Sequence, residues 1–372
     1  MYLYSLFQRG KIYRAEEKYE EMVQLFKTFL NDDDSPKVRV SEALYWLGWA
    51  YQQDGKTNLA YPVFEDALVH YGNDTQAAET HSILQALEKI RHGDSPDGFA
   101  NWLQSEIEQA EKRGQLTYLS RLVLYQQSRL PGKVPSTAAL LALAELVPMD
   151  QLDPEALGQV GLALLEQDPE KAETYFTYLV DTFPRSSCRA MGYLGLATLA
   201  EESEAFEEAK NWLIQSEKEV PMHPRMNDAQ LLLGKVLSKL EEYDAAIKTY
   251  EKLLRLKSAR GKPHAQALSG IAQAHLGKED RPKAIAYYQR VYNMYRAYPD
   301  LVSSAYMQSA TLFESLDRIS EAVRTLEEML GHTKLAVYPE WEAAQRKLEF
   351  LLPLIPEEET NEAMESNDES PS

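Results

Sequence analysis

The chain has 372 residues, with 39 Lys or Arg against 58 Asp or Glu for a formal charge of −19, 44% hydrophobic residues and one cysteine. That apolar content excludes wholesale disorder, and the acidity excludes a general binder of phosphate backbones. A lone thiol, Cys188, can neither close an internal disulfide nor build a Cys-rich zinc site. The opening stretch YLYSLFQRGKIYRAEEKYEEM has neither the basic nor the sustained apolar segment of a signal peptide. No window holds the ~20 apolar residues of a membrane span. The expectation is a soluble chain, cytoplasmic or periplasmic. A helix that opens almost at Met1 without a capping residue reads as part of something longer.

From the N-terminus, Leu6, Gly10, Tyr13, Met22, Phe26 and Phe29 set out a pattern that returns at Leu44, Leu47, Gly48, Tyr51, Ala60 and Phe64. Residues 73–150 carry it poorly. Helices are expected there at 75–91, 97–113, 115–129 and 136–147, as two degenerate pairs separated by the breakers of HGDSPDG and LPGKVP. The pattern resumes at Gly161, Ala172 and Phe176, then at Gly195, Ala209 and Leu213. Later copies are Gly234, Ala246 and Tyr250; Gly270, Ala284 and Tyr288; and Ala310, Ala322 and Leu326. Successive units start 34 to 40 residues apart.

Each copy reads as two antiparallel helices. Small residues at the Gly48 and Ala60 positions let the helices approach, while Tyr51 and Phe64 fill the space between neighbouring pairs. The two small residues are 12 apart in four copies but 14 apart for Gly195–Ala209 and Gly270–Ala284. The surplus is expected in the turns near Glu201–Ala205 and Lys278–Arg281.

The pattern resembles the tetratricopeptide repeat, W-x2-L-G-x2-Y…A-x3-F…P. The resemblance implies an all-α, right-handed superhelical solenoid of about nine helix pairs. Its expected divisions are two units in 1–72, two degenerate units in 73–150 and five units in 151–338. A closing helix follows at 339–356, then a disordered tail at 357–372 with seven acidic residues and no basic one. Phe183-Pro184, Val220-Pro221, Tyr298-Pro299 and Tyr338-Pro339 end lengthened units. Such endings are similar to bacterial envelope tetratricopeptide proteins of the BamD and Tol–Pal-coordinator kind, and imply an assembly or transport accessory. The chain departs from a lipoprotein pattern, because Cys188 lies mid-chain rather than at a lipid-bearing start.

No P-loop, G-x-G-x-x-G or G-x-S-x-G motif is present. Gly158 and Gly161, like Gly192 and Gly195, fall at helix-packing positions. His264 and His275 share a helix face but sit ~16 Å apart along it. No catalytic residue, metal or cofactor is expected. Cys188 lies at a helix start, where a dipole would lower its pKa, and otherwise reads as a lone thiol among packing helices.

What remains is the groove, which in the family is lined by each unit's first helix. Mapped around the glycine, it takes Tyr4, Phe7, Lys11 and Arg14 from the first unit and Glu42, Tyr45, Trp49 and Gln52 from the second. Later units contribute Asp228, Leu231, Lys235 and Lys239; His264, Ile271 and His275; and Met307, Thr311 and Glu314. The family's carboxylate clamp needs Lys where Phe7 and Tyr45 stand and Asn where Lys11 and Trp49 stand, so that mode is not implied. Candidate binding residues are Tyr4, Phe7, Lys11, Arg14, Tyr45, Trp49, Gln52, Lys235 and Lys239. Aromatic anchors beside Lys11 and Arg14 suit a peptide with an apolar side chain. If another unit preceded them, the same aromatics would be core; both readings stand. The segment Phe350–Ile355 is expected to fold back and close the last repeat.

The expected function is a non-enzymatic scaffold for a neutral or basic protein or peptide, without nucleic acid. The alternatives are an envelope accessory, or the regulatory or sensing part of a larger enzyme whose catalytic domain lies elsewhere.

Overall fold

The structure is a computed structural model that describes residues 2–32, 39–92, 97–129 and 135–355. The expected acidic tail at 357–372 lies outside the described residues. The described chain is all-α, with nineteen α-helices and no strand, and it divides into two compact units, 1–188 and 189–372.

Unit 1 holds α1 (Tyr2–Ala15), α2 (Tyr19–Asn31), α3 (Val40–Gln53), α4 (Thr57–Tyr71), α5 (Ala77–His92), α6 (Gly98–Lys112), α7 (Leu116–Ser128), α8 (Thr137–Leu146), α9 (Pro154–Leu164) and α10 (Pro169–Thr182). Unit 2 holds α11 (Arg189–Glu202), α12 (Phe206–Glu219), α13 (Met226–Lys239), α14 (Tyr243–Arg255), α15 (Lys262–Gly277), α16 (Arg281–Met294), α17 (Pro299–Ser315), α18 (Ile319–Gly331) and α19 (Pro339–Leu351). Several helices begin on proline, whose fixed φ suits the first turn and whose missing N–H costs nothing there. Pro299 and Pro339 therefore start the next helix rather than end a unit.

One turn recurs through both units. Glu17, Gly55, Gly114, Glu204, Glu241, Glu279 and Asp317 all have positive φ, between 55° and 73°. Each is the middle residue of a three-residue link between two helices. The following N–H reaches back five residues to a helical carbonyl, as in Lys56 N to Tyr51 O at 2.9 Å and Glu242 N to Leu237 O at 2.8 Å. This is the Schellman C-cap, which satisfies orphan carbonyls and reverses the chain in the shortest distance. The α9–α10 link has no left-handed residue; there Asp168 caps α10 by accepting from Lys171 N at 3.0 Å.

The turn fixes the packing register, and here the structure corrects the expected turn insertions. The links at 203–205 and 278–280 are no longer than the one at 54–56. Seven residues before every one of these left-handed residues except Gly114 stands the small residue that packs inside the hairpin: Gly10, Gly48, Ala197, Gly234, Ala272 and Ala310. Ala197 and Ala272 are fully buried, so they, not Gly195 and Gly270, are the equivalents of Gly48. Inside the α3–α4 hairpin a Cβ on Gly48 would lie 2.5 Å from Phe64 Cε1, so Phe64 fills its own pair rather than the gap between pairs. Tyr250 does both: its ring presses on Gly234 in its own hairpin and on Gly270 of the next.

Residues 73–150 depart from the expected pairing. The helices lie close to the expected spans, but the tight Gly114 turn joins α6 to α7, leaving α5 and α8 outside a three-residue hairpin. Tyr125 of α7 donates to Glu88 of α5 at 2.7 Å, and Arg129 bonds the same carboxylate at 2.8 Å. Arg121, also on α7, joins Asp153 ahead of α9 and the Gly72 carbonyl behind α4 at 3.1 Å. Polar staples thus hold the stretch where the small-residue pattern is weak.

At the C-terminal end, Leu351 is buried and Ile355 packs on the last core. Phe350 stays 65% exposed, and Leu352 and Leu354 are also exposed, so the closing segment folds back only in part.

Candidate partner-binding surface

The groove positions of α1 and α3 repeat at three- and four-residue steps, so each set lies on one helix face. Tyr4 is 69% exposed, and Lys11 and Arg14 are exposed. Phe7 is not offered to a partner. It is 4% exposed, with its ring centroid 5.6 Å from Phe26 and 6.4 Å from Phe29, and the Arg39 guanidinium lies 3.9 Å over its face. An aromatic at that position turns toward α2 because two phenylalanines and a cation build its pocket there.

The structure gathers a different aromatic set. The Arg14 guanidinium lies 5.2 Å from the Trp46 ring centre and 5.3 Å from that of Trp49. The two indoles are 5.8 Å apart, Tyr45 is 5.0 Å from Trp46, and Tyr19 is 5.9 Å from Trp49. All four rings are half-buried. Tyr45, Trp49 and Arg14 were legible as groove positions; Trp46 and Tyr19 were not. Trp46 sits three residues before Trp49 on the same helix, and that spacing was the available signal. Among the described residues no ring contact joins Tyr4 or Phe7 to this cluster. Gln52 is half-buried on the same helix.

In unit 2, Lys235 is exposed but its ammonium donates to Glu201 at 2.9 Å, while Lys239 is exposed on the last turn of α13. His264 Nε2 stands 3.2 Å from the Leu256 carbonyl. Ile271 and His275 are buried, which removes them from a groove surface. His275 stacks on Tyr287 at 5.5 Å, and burial holds its pKa below the usual imidazole range against the pull of Asp280, 3.7 Å away. Glu314 is bonded to Lys347. Leu231 and Met307 are half-buried, and Asp228 and Thr311 exposed.

Lys235–Glu201 belongs to a series. Lys210–Glu242, Lys252–Glu217, Lys278–Asp244 and Lys347–Glu314 also join charges 32 to 35 residues apart, one repeat length, across the seams of unit 2. Among the described residues no group of three or more His, Cys, Asp and Glu side chains could hold a metal ion. Burial pushes the Cys188 thiol up, not down, so the helix start does not activate it. Among the described residues no helix is long and apolar enough to cross a membrane.

Family models for the tetratricopeptide repeat match residues 42–74, which span α3 and α4, and 225–297, which span α13 to α16. No curated protein matches the chain in sequence. Among solved structures, it is similar to a signal-transduction ATPase with a tetratricopeptide repeat sensor from Pyrococcus horikoshii, at 16% identity and a TM-score of 0.54. That alignment covers 87% of this chain but only 50% of the ATPase, so the chain spans about half its length. It is also similar to yeast Tom70, at 12% identity over 95% of this chain and 96% of that one, TM-score 0.40. A tetratricopeptide repeat protein from Parabacteroides merdae aligns at 13% identity over 78% of this chain and 92% of its own, TM-score 0.30. The described residues thus form an all-α array of helix pairs, and tetratricopeptide repeat models match part of each unit.

Proposed function

We propose that the chain is a non-enzymatic interaction scaffold that holds a protein or peptide partner against the first helices of its repeats, with Arg14, Tyr45, Trp46 and Trp49 as the anchor site. The observation that carries this reading is the cluster itself. Two indoles and two phenols stand half-buried in one cluster, with a guanidinium over both indoles. Half-buried Trp, Tyr and Arg are the residues that dominate binding energy at protein interfaces, because they bring large rigid area and a polar handle at small entropic cost. The guanidinium stacks on the indoles and needs no carboxylate, so an apolar or aromatic side chain of the partner is the complementary group. Lys11 and Gln52 lie one helical turn from this anchor, Tyr4 stands farther along α1, and Lys239 offers a separate polar contact in unit 2. The acidic chain favours a neutral or basic partner.

The test is affinity capture with the full chain as bait, compared with Trp46→Ala/Trp49→Ala. Losing those rings should cost ~2–4 kcal/mol of binding and remove the captured protein, with far-UV helicity unchanged. Capture at the wild-type level by a folded variant would overturn the assignment.

A further inference from the structure

Unit 2 contains a cavity of about 560 Å³ between α16, the start of α17 and the segment after α18. Its apolar lining includes Tyr292, Val302 and Leu335, and its rim carries Arg296, His332 and Lys334. Tyr292 and Tyr306 stack with centroids 3.9 Å apart and planes 12° from parallel, which makes a flat, rigid wall. The volume lies within the range of small-ligand sites, as does the pattern of an apolar body with few convergent polar groups.

The cavity differs in charge from the 660 Å³ cleft of α1 and α2, where Lys56 bonds Asp54 and stands 3.5 Å from Glu20, and Arg9 donates to the Tyr13 hydroxyl. Around the unit 2 cavity neither Arg296 nor Lys334 forms an ion pair with any described residue, in a chain with 58 acids to 39 bases. The carboxylate beside the lining, Glu328, is engaged by the Tyr306 hydroxyl at 2.9 Å. Asp300, in the first turn of α17, is turned to Lys262 at 3.0 Å. Two unpaired cations and an imidazole therefore face one apolar hollow, beside the N-terminal end of a seventeen-residue helix whose dipole favours negative charge.

We propose that this cavity binds a small amphiphilic anion, its apolar body against the Tyr292–Tyr306 wall and Val302, and its carboxylate or phosphate toward Arg296, Lys334 and His332. A neutral or cationic molecule of the same shape would gain the apolar contact but not the charge-assisted hydrogen bonds. This site is separate from the anchor cluster of unit 1, so each stands or falls without the other.

The probe is octanoate, titrated by calorimetry into the full chain beside octanol and octylamine. Octanoate should bind saturably at one site per chain and about tenfold more tightly than either analogue. Arg296→Gln/Lys334→Gln changes two side chains on the rim and should weaken octanoate by a similar factor while leaving octanol unaffected. Ala297→Trp fills the mouth from an exposed position and should abolish saturable binding. Octyl phosphate and inorganic phosphate separate the two head groups and the need for an apolar body: octyl phosphate should bind as octanoate does, and inorganic phosphate far more weakly. The proposal is overturned if octylamine binds as well as octanoate, if the rim variant binds octanoate normally, or if Ala297→Trp leaves the saturable site intact.

Discussion

At the residue scale, Tyr250 is held by a double contact. Its ring lies against Gly234 and Gly270 so closely that a methyl group on either would overlap ring carbons. Because the ring is buried, it cannot swing into solvent to make room. Gly234→Ala and Gly270→Ala should each cost ~1–3 kcal/mol, measured by urea unfolding followed by circular dichroism. Both substitutions displace the same ring, so the double variant should cost less than the sum, and Tyr250→Leu should remove most of either penalty. Strict additivity would place the strain somewhere other than this ring. The fate of Phe7 belongs to the same scale. Its position on the α1 face was readable, but its burial depends on Phe26, Phe29 and Arg39, which reach it only once α2 and α3 have packed.

At the scale of elements, the turn sets the register. Four of the seven left-handed positions are Glu and one more is Asp, where glycine would pay no steric penalty. Glu241→Gly should therefore stabilise unit 2 by ~1 kcal/mol, a rise in Tm of about 2–4 °C. Gly114→Ala should destabilise the α6–α7 hairpin by about as much. Equal melting temperatures for Glu241→Gly and wild type would mean that φ is relaxed there in solution. Helix pairs were legible because Gly48, Ala60 and Phe64, and their later counterparts, stand at fixed offsets that small and aromatic side chains mark clearly. The α6–α7 hairpin was missed because Ile107 and Leu119 occupy the small-residue positions. Gly114, seven residues after one and five before the other, was the readable sign. In the candidate surface, Tyr45 and Trp49 were legible from helical projection. Trp46 and Tyr19 were not, because their approach depends on where Arg14 points across the α1–α2 turn.

At the scale of the whole molecule, the acidic surface is organised rather than merely abundant. In unit 2 acids and lysines meet one repeat apart, so each pair bridges two neighbouring hairpins instead of strengthening one. An exposed pair contributes only ~0.2–1 kcal/mol and is screened by salt. The hairpin interiors, closed by buried aromatics on small residues, are not. Raising NaCl from 50 mM to 1 M should therefore broaden the urea transition of unit 2, as hairpins uncouple before they melt, while total helicity in water stays constant. A transition that shifts without broadening would mean that apolar packing alone couples the seams. The division between screened seams and dry hairpin cores also has a mechanical meaning. Pulled from its ends, such a stack stretches first at the seams, as a spring whose stiffness the surrounding ions tune, while each hairpin keeps its own rupture force.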